Sequence, residues 1–66
     1  MSTEAKTHEI TIYSKFGIKC YDINAKHWTD ENLAAFYRGY IDHRQYRERV
    51  TILNKKTNKV TFLQNF

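Results

Sequence analysis

The side chains with atoms suited to metal ligation or nucleophilic attack are Cys20, His8, His27 and His43. A thiolate beside an imidazole can attack a carbonyl carbon, and thiolate with imidazole can hold zinc. Their spacing supports neither. Small domains built on zinc place ligands in close pairs such as C-x2-C, and here one cysteine is scattered among three histidines. The carboxylate pairs carry no more. Asp30 with Glu31 is accounted for by the start of a helix, and Glu9 with Asp22 would bracket a hairpin. Gly17 and Gly39 stand far apart, so no glycine loop cradles a phosphate. The residue types therefore point to no catalytic residue, metal or cofactor. A two-layer fold of this size rarely encloses a pocket for a small-molecule substrate either.

What remains is charge and aromatic surface. The net charge of +4 is uneven: residues 1 to 33 sum to −1 and residues 34 to 66 to +5. All four arginines, Arg38, Arg44, Arg47 and Arg49, fall within twelve positions, where they can attract phosphates or an acidic protein surface. The plainer reading is a solvated helix end whose cations sit against the negative pole of the helix dipole.

The element that must position these groups is a helix starting after Trp28. Thr29 can cap it, Asp30 and Glu31 suit its first turn, and Trp28 with Leu33 occupy the two positions of a hydrophobic staple. Leu33, Phe36, Tyr37, Tyr40 and Ile41 fall on one side at 3.6-residue spacing, opposite Glu31, Ala35, Arg38 and Asp42. The pattern fades near residue 43. Ala35 and Gly39 on the outer side would let another backbone approach, although exposed small residues are commonly just tolerated.

Segments rich in β-branched and aromatic residues flank the helix. Strands are expected at about 8 to 14 and 18 to 23, joined by a three-residue loop Lys15-Phe16-Gly17. That register sets Ser14 opposite Ile18 and Ile12 opposite Cys20, gathering Ile10, Ile12, Ile18 and Cys20 on one face. A two-residue Phe16-Gly17 turn would shift the pairing by one and move Tyr21 and Ile23 inward. After the helix, RVTIL, NKKTN and KVTFLQNF read as a second hairpin, with Val50 opposite Phe62 and Ile52 opposite Val60. The expected fold is α+β in the order ββαββ, one helix on one face of a small antiparallel sheet. Residues 1 to 7 form a loose tail and 8 to 66 a single domain. A lone cysteine, a polar mixed-charge N-terminus and no long apolar run lead to the expectation of a cytoplasmic protein without membrane association.

One helix covers one sheet face. In these registers the other carries Tyr13, Tyr21, Ile23, Leu53 and Leu63 among Lys19, Arg49 and Lys59, more apolar surface than scattered exposure explains. The expected function is a non-enzymatic protein-interaction module, an inhibitor or adaptor of a larger protein, as accessory proteins of phages and other mobile elements often are. Tyr13, Tyr21, Leu53 and Leu63 would supply apolar contacts, and Arg38, Arg44, Arg47 and Arg49 orientation and on-rate. A second copy of the chain is an admissible partner. The alternative is nucleic-acid binding, with Tyr13 and Tyr21 stacking on bases and Lys19, Arg44, Arg47, Arg49, Lys55, Lys56 and Lys59 on phosphates.

Overall fold

The computed structural model describes residues 5–65. Four strands and one helix follow in the order β1 (His8–Ser14), β2 (Gly17–Ile23), α1 (Asp30–Asp42), β3 (Arg49–Asn54) and β4 (Lys59–Gln64). The strands form one antiparallel sheet in the order β2-β1-β3-β4, so the two hairpins join through β1 and β3, with Ile10 opposite Ile52 and Ile12 opposite Val50. This is the expected α+β fold. Of the tail expected over residues 1 to 7, the first four lie outside the described residues. Thr7 is firmly held: its N–H donates to the Ile23 carbonyl, its own carbonyl accepts from Lys55, and its hydroxyl accepts from the Ala25 N–H.

The helix starts as its sequence dictates. The Thr29 hydroxyl accepts from the Asn32 N–H at 3.0 Å, and Asp30 and Glu31 occupy the positive end of the dipole. Leu33, Tyr37 and Ile41 are buried against Ile10, Ile12, Val50 and Ile52. The apolar stripe is narrower than expected, because Phe36 is 58% exposed and Tyr40 is also exposed. The cause is where the helix lies. It packs on β3 and β4, and its Phe36–Tyr40 flank hangs over the β2 side without reaching it.

Both hairpin registers differ from expectation by one residue, and turn chemistry is the reason. In the first, Ser14 pairs with Gly17 around a two-residue Lys15-Phe16 loop. The Ser14 hydroxyl spans that loop, accepting from the Phe16 N–H and donating to the Gly17 carbonyl, and Gly17 takes φ +134°, which a side chain would resist. Ile10 therefore faces Tyr21, and Ile12 faces Lys19. In the second, the Asn54 side chain accepts from the N–H groups of Lys56 and Thr57, and Asn58 adopts a left-handed φ of 61°. These bonds set a four-residue loop, putting Val50 opposite Leu63 and Ile52 opposite Thr61.

A one-residue slip turns a strand over. Tyr21, Ile23, Lys19, Leu63 and Lys59, expected on the uncovered face, lie on the helix side. Ile18, Cys20, Val60 and Phe62, expected inside, lie on the open side. The inward positions of β2 suit long amphipathic side chains because the helix is out of reach of short ones. Tyr21 spans the distance, its hydroxyl meeting that of Tyr37 at 2.8 Å.

That bond lies over the core and makes stability sensitive to alkali. Burial pushes the Tyr37 hydroxyl well above the ordinary tyrosine range, and the Tyr21 bond with the nearby Tyr21 and Tyr40 adds to it. The folded state thus favours neutral Tyr37. The stabilisation is complete below the unfolded tyrosine value of about 10 and is lost as pH rises past it toward the folded value. Absorbance titration should show Tyr37 ionising only with unfolding, and Tyr37→Phe should remove that last step.

Candidate functional site

On the open face the registers align three rows across the sheet. Asp22, Glu9, Leu53 and Val60 form one, Cys20, Thr11, Thr51 and Phe62 the middle one, and Ile18, Tyr13, Arg49 and Gln64 the third. Ile18 is 70%, Phe62 69% and Val60 46% exposed. Tyr13 and Leu53 are half-buried among their neighbours. No other described element covers this side. The charges on it are Glu9, Asp22 and Arg49, and each is engaged: Asp22 with Lys55 at 2.9 Å, Glu9 as acceptor from the Cys20 thiol, Arg49 over the Tyr13 ring at 4.9 Å. The surface is apolar with hydroxyls and a thiol at its middle. It offers shape and apolar area to a partner, with little net charge.

The arginine cluster is dispersed by the fold. Arg38 donates to the Gln64 carbonyl at 2.8 Å and pairs with Asp42. The Arg44 guanidinium lies 2.6 Å from Glu48, whose side chain is buried, and that carboxylate raises the Arg44 pKa further. Arg49 belongs to the open face, and Arg47 lies in the segment between α1 and β3. Lys55 and Lys56 sit in the β3–β4 loop, with Lys55 paired to Asp22, whereas Lys19 lies on the helix side of β2. The structure thus leaves Tyr13, Leu53 and Arg49 together on the open face, while Tyr21, Leu63, Lys19 and Lys59 are on the other side of the sheet.

One constellation escaped the sequence reading. The Thr7 hydroxyl lies 2.7 Å from His8 Nδ1, and His8 Nε2 lies 3.0 Å from Asp30 Oδ1. A hydroxyl, an imidazole and a carboxylate in a chain are the parts of an acyl-transfer triad. Their surroundings give them structural work. The Thr7 hydroxyl already accepts from the Ala25 N–H, leaving its oxygen engaged on both sides. His8 is buried, and Asp30 also takes two bonds from the Asn54 amide. The His8 and Asn54 bonds hold the Asp30 carboxyl below the usual carboxylate range. The chain fastens the start of α1 to β1 and β3. Its sequence signal was faint, because Thr7 falls within the stretch, residues 1 to 7, that reads as a loose tail.

Among the described residues no group of three or more His, Cys, Asp and Glu side chains could hold a metal ion. Cys20 is exposed on the open face, with the Thr11 hydroxyl donating to its sulfur, and is not the core residue its expected register made it. No helix among the described residues is long and apolar enough to cross a membrane. Comparison with protein-family models, curated proteins and solved structures found no match to this chain.

Proposed function

We propose that this chain is a non-catalytic protein-interaction module that lays its open sheet face on a larger protein and acts as its inhibitor or adaptor. The observation that carries the reading is the open face itself, with Ile18, Val60 and Phe62 exposed around Tyr13 and Leu53. Contiguous apolar surface on so small a fold marks a contact site, and aromatic residues anchor such contacts. Accessory proteins of phages and other mobile elements commonly act in this manner, and the chain suits such a role. The same surface argues against the nucleic-acid reading. Glu9 and Asp22 are matched there by Arg49 and Lys55, so the face has no net positive charge, and a stacking surface for bases needs cations in excess beside its rings.

The test uses Phe62→Asp and Ile18→Asp, both at exposed positions where the fold should survive. Either change should weaken a partner captured from native lysate by at least about 30-fold, the scale of a central aromatic anchor. Circular dichroism should stay as in the parent protein. Retained capture by both variants would sink the reading. So would capture that nuclease abolishes, together with oligonucleotide affinity falling log-linearly with salt, the signature of phosphate binding.

A further inference from the structure

The opposite side of the sheet carries a second unfilled surface. Because α1 packs on β3 and β4, a cleft runs between its other flank and β2. The Tyr21–Tyr37 bond bridges the cleft and leaves a hollow at each end. One, of about 280 Å³, opens over Gly17 and Lys19 beneath Tyr40. The other, of about 170 Å³, lies by Ile23 beneath Trp28 and Phe36. Lys19 and Ile23 are four residues apart on one strand face, so the hollows are roughly 13 Å apart along β2.

Among the described residues the wall of this cleft is also a free sheet edge. Ile23 turns its carbonyl toward β1, where it accepts from Thr7. By strand alternation the N–H and C=O groups of Ile18, Cys20 and Asp22 then point away from the sheet. Six of the seven β2 residues are exposed, and no proline or bulge blunts the strand. The other edge is guarded, since α1 packs over β4 and Arg38 caps the Gln64 carbonyl.

Charge selects the occupant. Lys19 lines the larger hollow and Lys26 follows Asn24 and Ala25 of the smaller one, and neither has an ion-pair partner among the described residues. Of the nearby carboxylates, Glu48 is buried and taken by Arg44, and Asp22 on β2 is taken by Lys55. By helical spacing Glu31 and Asp42 fall on the flank with Arg38, whereas the cleft flank presents Asn32, Phe36, Tyr40 and His43. A second copy docking edge to edge would bring two sets of lysines together, which is unfavourable.

We propose that the β2 edge and this cleft bind an extended acidic segment of a partner protein, which adds as a fifth strand and seats apolar side chains four residues apart in the two hollows. Main-chain bonds to β2 would give affinity and the hollows specificity. The inference shares with the docking reading only the premise that the chain binds protein, and different variants test the two.

The chain has a single tryptophan, Trp28, beside the smaller hollow, so its fluorescence reports occupancy. The probe is a synthetic peptide of about nine residues, rich in glutamate, with leucines four apart. Saturable binding with a Trp28 shift is expected, weakened at least about tenfold by Lys19→Glu. Cys20→Pro removes only an outward N–H and should abolish binding with the fold intact, whereas Cys20→Ala and Phe62→Asp should leave it unchanged. N-methylation of the probe amides that face β2 should abolish binding without altering the protein. Absence of a Trp28 response, equal binding of a lysine-rich peptide, or binding indifferent to N-methylation would overturn the proposal. So would a dimer in sedimentation that Cys20→Pro dissolves.

Discussion

Replacing Asn65 by alanine lowers the stability of the fold by about 2–4 kcal/mol, although the residue lies outside every strand and the helix. Its side-chain oxygen accepts from the Glu48 N–H at 2.7 Å, and its amide nitrogen donates to the carbonyls of Ile41 at 2.9 Å and Tyr46 at 3.0 Å. The Ile41 carbonyl belongs to the last turn of α1, and Tyr46 and Glu48 to the segment that leads into β3. One amide thus satisfies the helix end, the connection and the approach to the next strand. Alanine leaves the Glu48 N–H and the Tyr46 carbonyl to find water, while the Ile41 carbonyl keeps its bond from the Arg44 N–H, and Glu48 is buried where water enters poorly. A domain of this length holds only about 3–5 kcal/mol in total, so the variant should be marginally folded at room temperature. Asn65→Asp should do no better, because it keeps the acceptor while turning an anion toward two carbonyl oxygens. Gln64→Ala, at an exposed side chain, should stay within about 0.5 kcal/mol of the parent. Urea denaturation followed by circular dichroism measures all three, and a loss under about 1 kcal/mol for Asn65→Ala would show that the clamp contributes little.

The parts of this molecule legible in its sequence are those specified by local rules. Thr29, Asp30 and Glu31 announce the start of α1 through bonds and charges reaching only three residues. The ββαββ order follows from composition and period. Pairing registers are different in kind. Both faces of the outer strands carry apolar or aromatic residues: Ile18 and Cys20 against Tyr21 and Ile23, Val60 and Phe62 against Leu63. Alternation alone then fits either register, and the expectation for the first hairpin rested on a three-residue loop with Gly17 at its left-handed position. The turns decided otherwise, through hydroxyl and amide bonds from Ser14 and Asn54 to nearby backbone.

The candidate surface inherited that ambiguity. An uncovered face follows from counting one helix against one sheet, and it stands in the structure. Tyr13, Leu53 and Arg49 were placed on it correctly because they sit on the two central strands, whose faces are fixed by Ile10, Ile12, Val50 and Ile52. Residues from the edge strands were exchanged as sets. The offset of α1 toward β4 was equally hidden, since a helical wheel gives the direction of a stripe but not which strands it meets.

A single cysteine converts the observed register into a covalent readout. Thr11 lies opposite Cys20, and its hydroxyl approaches the Cys20 sulfur at 3.4 Å on the open face. Opposed residues of an antiparallel pair fall within the Cα separation that a disulfide spans. Thr11→Cys should therefore lose both thiols on treatment with oxidised glutathione, each sulfur giving up a proton as the oxidant takes two electrons. The bridge closes a loop of about ten residues, and restricting the unfolded chain should raise stability by about 2–3 kcal/mol over the reduced form. Ile12→Cys is the informative companion. Ile12 faces Lys19 and is buried on the helix side, so its thiol should remain reactive toward alkylation only after unfolding. In the register that set Ile12 opposite Cys20, the outcomes would be reversed, with Ile12→Cys bridging and Thr11→Cys staying reduced. The pair of variants thus also tests which residues β2 presents to the open face and which to the cleft, the premise on which both proposed surfaces depend.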